Sequence, residues 1–369
     1  MKTDGCFSTN QKGAERFFKQ QHQFNQHQSY YFARMQLMKG KLFLLMSVLM
    51  YLHASAQILP SFGGTRTGTT GFQFLKIGVD ARSGALAGSV MASTNDVASL
   101  FVNPAGITKL DSQNVHVQAS QSLYYAGNSL SFVGIVHPVS KQTMIGFSME
   151  SFNTPFMPVT TEFQPAGTGQ TFRASDLAMG LTLGRKLTDQ FSFGITGKFI
   201  RESFAEIRNN NAVLDFGFQY EVGKANSRFA VGISNFGFTT EPNGTIEVQT
   251  LTGFDTLTKF QKVGVPAVFR IGVASDVIKK DANQLTLSTQ LNHPTDNNET
   301  ISIGAEYCWK KTLFARSGYE LGADEKGLPA FGFGVRFKRN FGMMQFDYGF
   351  EDKPKLGMIQ RFTFSLSLF

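Results

Sequence analysis

Histidine and cysteine are scarce in this chain, six and two among 369 residues, and none stands in a pattern that does chemistry. His116, His137 and His293 are isolated from one another, and the last two directly precede proline, where a turn is the plain expectation. There is no H-E-x-x-H pair to seat zinc, no C-x-x-C, no Walker loop for a nucleotide phosphate and no G-x-S-x-G nucleophile turn. Gly332-Phe333-Gly334 falls short of the dinucleotide fingerprint and sits in a run that alternates like a strand. The neighbouring carboxylates Asp324-Glu325 and Glu351-Asp352 fall in expected outer loops, where solvated charge is a simpler reading than acid–base catalysis. The expectation is a non-enzymatic protein with no cofactor and no metal.

The residues that do stand out lie between Phe72 and Leu110. Small residues crowd the first half: Ala81, Ser83, Gly84, Ala85, Ala87, Gly88 and Ser89 allow backbone to pack against backbone. Asn95 is placed to cap a short helix, with Asp96 at its positive end. Pro104 stops that helix and pushes Asn103 out of helical geometry. Asn103-Pro104-Ala105-Gly106 therefore marks either a tight turn that starts the first strand or part of a segment folded against something larger.

The larger element follows. From Gln113 to Phe369 the chain alternates apolar and polar residues in short runs. The pattern predicts fourteen strands: 113–120, 129–137, 142–151, 173–186, 190–206, 211–223, 226–237, 264–276, 283–293, 299–309, 311–321, 329–339, 341–351 and 358–369. Most are long enough to cross a bilayer when tilted. The eleven prolines fall outside these runs or close to their ends, as a sheet requires. Gaps after odd strands include two long ones, 152–172 and 238–263, while gaps after even strands are short, the alternation of outer-membrane barrels. Charged residues are 17%, against 37 glycines and 38 phenylalanines. A mean hydropathy of -0.11 argues against a helical membrane protein, because a barrel hides half of its strand residues in a polar lumen. The expected fold is thus all-β, a 14-stranded antiparallel transmembrane β-barrel over 113–369, with a small N-terminal plug segment, 57–112, containing a short helix. A soluble sandwich would alternate in the same way, but the even strand count, the aromatic load and a secretory leader speak against it.

That leader is read at residues 38–56. Met38-Lys39-Gly40-Lys41 precedes an apolar core from Leu42 to Leu52, and Ala54-Ser55-Ala56 has the form of a cleavage site. Residues 1–37, rich in Gln, read as an extension upstream of the true start. Removing 1–56 takes away seven Lys/Arg and two Asp/Glu and lowers the net charge from +8 to +3. Mild basicity facing anionic lipid explains the remainder, and no nucleic-acid partner is implied. One cysteine then remains, Cys308, so no intramolecular disulfide forms.

Period two assigns faces. Phe331, Phe333, Val335 and Phe337 are expected toward lipid and Gly332, Gly334, Arg336 and Lys338 toward the lumen. The same phase sends Asp176, Lys198, Asp215, Glu221, Arg270, Glu306, Arg316, Glu320, Arg336 and Asp347 inward, either as a lumen-filling ion network or as a hydrated interior. Phe369 is the terminal aromatic of a barrel, but it is out of phase with Phe362, Phe364, Leu366 and Leu368. The two long outer loops carry unusual apolar content, including Phe156, Phe238, Phe254 and Phe260, which suits partner contact or folding over the barrel mouth.

The runs "FQFLKIGVDARSGALAGS" and "NDVASLFVNPAGITKL" resemble the N-terminal signature of the PorV/PorQ family, outer-membrane barrels similar to the FadL transporters. The second run is shared with FadL-type proteins in general, the first more particular to PorV/PorQ. The resemblance implies a bacterial outer-membrane location and an N-terminal segment, with Asn103, Pro104, Ala105 and Gly106 in it, that plugs the barrel. It also implies a role in type IX secretion, with translocon components or exported proteins as partners and Phe254 and Phe260 as contact candidates. A FadL-like channel for hydrophobic small molecules is the alternative. It needs an apolar pocket opening sideways through the wall. A structural barrel outside secretion is a third possibility.

Overall fold

A computed structural model describes residues 67–162, 164–223, 226–250, 253–280, 282–323 and 327–368. The leader at 38–56, the extension before it, Asp324-Glu325 and Phe369 lie outside the described residues.

Fourteen strands close into one antiparallel barrel. They are β1 Val115–Leu123, β2 Ser129–Pro138, β3 Thr143–Asn153, β4 Ala174–Lys186, β5 Phe191–Phe204, β6 Ile207–Val222, β7 Ser227–Gly237, β8 Val268–Lys280, β9 Asn283–Pro294, β10 Thr300–Trp309, β11 Leu313–Leu321, β12 Ala330–Arg339, β13 Gly342–Lys353 and β14 Gly357–Leu368. Each pairs with its chain neighbours, and β1 closes on β14 from Val115↔Leu368 to Leu123↔Gln360. Closure leaves no unpaired sheet edge, which the interior of a bilayer could not satisfy.

The count and order match the sequence expectation, and the boundaries move by a few residues. β6 starts at Ile207 rather than 211, and β8 spans Val268–Lys280 rather than 264–276. β13 runs on to Lys353, so Glu351 and Asp352 belong to a strand and not to a loop. Pairing with β14 continues through Glu351↔Ile359 and Asp352↔Met358, and this cross-strand support extends β13 where local sequence suggested a stop.

Outward positions form an apolar band. Phe331, Phe333, Val335 and Phe337 are exposed, as are Leu214, Phe216, Phe218 and Tyr220. Their inward neighbours Asp215 and Gln219 are buried. One end of the barrel carries the long connections 154–173 and 238–267, each with a small hairpin of its own, Met157–Pro158 with Thr171–Phe172 and Ile246–Thr250 with Gly253–Leu257. The other end has tight turns such as 139–142 and 340–341.

The regular pairing of the wall slips in two places, at Val277 between β8 and β9 and again between β6 and β7. Pairing passes from Leu214↔Phe236 to Phe216↔Ile233, so two residues of β7, Ser234 and Asn235, oppose Asp215 alone. Asn235 takes φ of 60° and donates its N–H to Asp215 Oδ1 at 2.7 Å.

Residues 70–110 lie inside this barrel. Helix α1, Ala81–Ala85, is capped by Asp80, whose Oδ2 accepts from the N–H groups of Arg82 and Ser83 at 3.1 Å each. Helix α2, Ser99–Val102, begins after Ala98 without a side-chain cap. The expected cap at Asn95 is therefore corrected. The helix starts later because Asp96 and Val97 already make a tight turn whose carbonyls accept from Ser99 and Leu100, while the Asp96 carboxylate is drawn to Arg82. A 3-10 turn follows at Pro104–Lys109.

Candidate functional site

Asn103 is fully buried, and both ends of its amide are used. Oδ1 accepts from Ala105 N–H at 3.1 Å, which caps the 3-10 turn, and Nδ2 donates to the Met91 carbonyl at 3.1 Å. Pro104 suits the first position of that turn because it needs no N–H donor there. Gly106 fits beneath Thr94 and Ser99, where a Cβ would collide with both. The four residues of this motif thus act as one rigid corner that fixes the segment inside the wall.

The wall is shaped to receive that corner. A Cβ at Gly194 of β5 would overlap the Pro104 backbone, and one at Gly217 of β6 would overlap the Asn103 side chain. The pattern continues around the lumen, with Gly146 against Leu100, Gly184 against Ile107, Gly318 against the Leu86 backbone and Gly349 against the Ala81 carbonyl. A strand glycine marks a place where another backbone comes close, and here they form a belt around the interior. Sequence reading placed only individual glycines such as Gly332 and Gly334 on the lumen face. The signal that could have revealed the belt was their position, one mid-strand inward glycine on most strands.

The belt divides the lumen into two kinds of contact. On the β2–β8 side the segment packs through apolar side chains. Val97, Leu100 and Ile107 meet Leu130, Phe132, Val136 and Met144, and Phe72 and Leu75 meet Ile200 and Val213. On the β9–β14 side it is held by charge. Arg82 grips Glu306 with Nε–Oε2 at 2.9 Å and Nη2–Oε1 at 3.1 Å, and reaches Asp96 at 3.2 Å. Glu306 also accepts from Arg316 at 2.6 Å, and Arg316 passes the chain to Asp347 at 2.6 Å. Gln345 joins Asp347 to Arg336, each bond 2.7 Å. The guanidinium carbons of Arg316 and Arg336 lie 5.1 and 4.7 Å from the ring centre of Phe314.

Of the other inward charges, Lys198 and Asp215 pair at 2.6 Å beside the β7 bulge, and Arg270 donates to Ser234 at 2.8 Å. Asp176 stands directly across from Glu202, which accepts the Phe72 N–H. These residues therefore do not form one network. Glu306, Arg316, Arg336 and Asp347 share one, Lys198, Asp215 and Arg270 cluster at the bulge, and Asp176 lies toward the long-loop end. Arg82 and Arg361 belong to the lumen chemistry although sequence reading did not single them out, and Glu351, expected in an outer loop, belongs to it as well. Arg82 is a strong cation held by Glu306 and Asp96 well above the ordinary arginine range despite its burial. At the long-loop end, Asp296 accepts from Thr70, Gln73 and Lys76. Burial raises its carboxyl, but these bonds outweigh it and leave it below the ordinary carboxylate range.

Helix α1 separates two cavities. One, of about 660 Å³, faces the long-loop end and is lined by Phe74, Tyr124, Phe152, Asp176, Glu202 and Arg361. The other, of about 440 Å³, faces the short-turn end and is lined by Asp80, Arg82, Glu306, Arg336 and Thr363 among others. Of the loop aromatics expected at partner contacts, Phe260 is half-buried within the 238–267 connection and lines neither cavity, and the Phe254 side chain lies outside the described residues. Among the described residues there is no cluster of His, Cys, Asp or Glu suited to a metal ion.

No protein-family model matches the chain, and no curated protein matches it in sequence. Solved structures do match its fold. The toluene transporter TbuX of Ralstonia pickettii aligns with a TM-score of 0.55 at 12% identity, covering 79% of this chain and 97% of that one. The monoaromatic hydrocarbon channel CymD aligns at 0.52 and 13%, covering 79% and 96%. A FadL homologue of Pseudomonas aeruginosa aligns at 0.50 and 11%, covering 79% and 98%. At such identities the likeness is one of fold: the chain has the 14-stranded barrel of these hydrocarbon channels.

Proposed function

We propose that this protein is a bacterial outer-membrane channel for small hydrophobic molecules, in which residues 70–110 close the lumen and solute leaves sideways through the wall. The observation that carries the reading is the interrupted β6–β7 pairing at Ser234–Asn235. On its lumen side stand Lys198, Asp215 and Arg270, and the apolar cluster that Ala230 of β7 makes with Leu86, Met91 and Val102 lies farther along the same strand. Outside the bulge, Ile233 and Phe236 are exposed on the apolar band. A compound that leaves this apolar cluster finds in the bulge a break in the wall's regular pairing between itself and lipid. The fold shared with hydrocarbon channels supports the same reading, whereas the ionic side of the lumen offers such a solute nothing.

Deleting Asn235 tests this. The deletion restores plain alternation, because Ile233 and Phe236 then both face outward around inward Ser234. Cells carrying the variant, shown to be a folded barrel by its heat-modifiable gel mobility, should lose uptake of a monoaromatic hydrocarbon. Uptake at the original rate would refute the sideways route.

The PorV/PorQ-like signature supports a second reading, a type IX secretion role with protein partners. The observation that favours it is exposed apolar surface at the long-loop end, where Phe156 and Phe238 are 68% and 80% exposed. Deleting 244–258 should then abolish partner co-purification and export while leaving the barrel folded, and normal export would count against it.

A further inference from the structure

The strands that close the barrel carry a ladder of inward polar residues. Inward residues of β1 are His116, Gln118, Ser120 and Ser122, and those of β14 are Ser367, Ser365, Thr363 and Arg361, paired rung for rung in that order. Three rungs are bonded: His116 to Ser367 at 2.7 Å, Gln118 to Ser365 at 3.4 Å and Ser120 to Thr363 at 3.0 Å. The fourth is not. Ser122 Oγ and Arg361 Nε are buried without a hydrogen-bond partner, and so is Gln118 Nε2 two rungs below. Three of the nine such atoms found among the described residues therefore lie on this one seam. Buried polar groups without a protein partner belong with water.

The seam also joins the two cavities. Thr363 and Gln118 line the cavity at the short-turn end, and Arg361 lines the one at the long-loop end. Thr363 and Arg361 are successive inward positions of one strand, about 7 Å apart. Two contacts separate the cavities here, the first a hydrogen bond of 2.9 Å that the Ala81 N–H of α1 donates to Thr363 Oγ1. In the second, the Arg361 guanidinium lies on Gly84 of α1, where a Cβ would come within 2.6 Å of Nη1. Arg361 is held in place by Glu351 at 2.9 Å, and Glu351 is shared with Lys353 at 2.7 Å. Elsewhere around α1 the way is filled: Ala85 sits against Gly332, and Arg82 spans to Glu306.

We propose that the β1–β14 seam is a second, polar route through the lumen for water and small uncharged hydrogen-bonding solutes, with Arg361 on Gly84 as its gate. It is distinct from the apolar route and does not depend on it. Serine and threonine hydroxyls replace part of a solute's hydration along the ladder, and the partnerless groups supply further bonds to it. Ions are disfavoured, because passage requires displacing the Arg361 charge.

The test is solute-driven swelling of liposomes containing the full chain, with urea and glycerol as permeants and sucrose as the impermeant control. Arg361→Ser should raise urea and glycerol entry several-fold, and it leaves Glu351 paired with Lys353 rather than orphaned. Adding Ser122→Leu should bring entry back to the wild-type rate. No rise in a folded Arg361→Ser barrel would overturn the proposal, and so would a rise that Ser122→Leu fails to suppress. Ser122→Cys in a Cys308→Ser background gives an independent reading without disturbing the gate. A small polar methanethiosulfonate should modify Cys at this position, fully buried as it is, and a thiol that stays unmodified in the folded barrel would show the seam to be dry and the proposal wrong.

Discussion

On the β2–β8 side of the lumen, Leu100, Ile107 and Phe72 pack into an apolar wall, whereas on the β9–β14 side Arg82 reaches across to Glu306. Both contacts hold the same forty-odd residues, and both rest on the glycine belt, but they respond to different disturbances. Apolar packing is insensitive to salt and pH and is graded, each methylene adding a little. A buried ion network responds more steeply, because removing one member leaves its partners short of a counter-charge. The difference suggests a division of labour in which the apolar side anchors the segment and the ionic side sets the conditions under which α1 is held.

The largest effect is expected from Arg82→Ala. It leaves Glu306 and Asp96 facing each other without their shared cation, and the seat of α1 should lose about 3–5 kcal/mol. Limited proteolysis should then cut within 80–96, while the wall keeps its heat-modifiable mobility. Protection equal to wild type would show that the apolar side alone suffices.

The next effect is one of pH. Burial, and after it the neighbouring Asp96 carboxylate, push the Asp80 carboxyl up to about 6, against the opposing pull of Ser83 and Arg82. The folded protein therefore holds this proton more tightly than the unfolded chain does. The contribution is fully present below about pH 4 and is lost as pH rises through about 6, a change of about 3 kcal/mol. Thermal melts across this window should show stability falling with rising pH, and Asp80→Asn, which keeps an acceptor for the α1 cap, should flatten that part of the slope. An unchanged slope would place the titration elsewhere.

The smallest effect sharpens the other side. Ile107→Val removes one methylene from a fully buried side chain set against Gly184, and should cost about 1 kcal/mol. The loss should be the same at low and high salt and at pH 4 and 7. A salt-dependent loss would mean that the two sides are coupled through α1.

Period-two alternation was enough to place every strand, because a residue's face in a sheet depends only on its parity, and parity is visible in sequence. It also sent Glu306, Arg316, Arg336 and Asp347 inward and the phenylalanines of β12 outward. Composition and the signature at 72–110 marked the N-terminal segment as something other than a strand. Local sequence could not say which inward charges meet. Arg82 finds Glu306 across 224 residues of chain, and only the closed cylinder brings them within reach. Nor could it show that glycines on different strands lie at one height, because that depends on register and stagger summed around the barrel. The β7 bulge escaped for a similar reason: Ser234-Asn235 reads as ordinary alternation slipping by one, and the slip acquires meaning only when Asp215 stands opposite it. Sequence thus determined the number, order and faces of the strands, while the tertiary fold decided where they end and slip, how the lumen is filled, where its two sides differ and where a solute could pass. The first is a property of neighbours along the chain, and the second of positions that only closure makes neighbours.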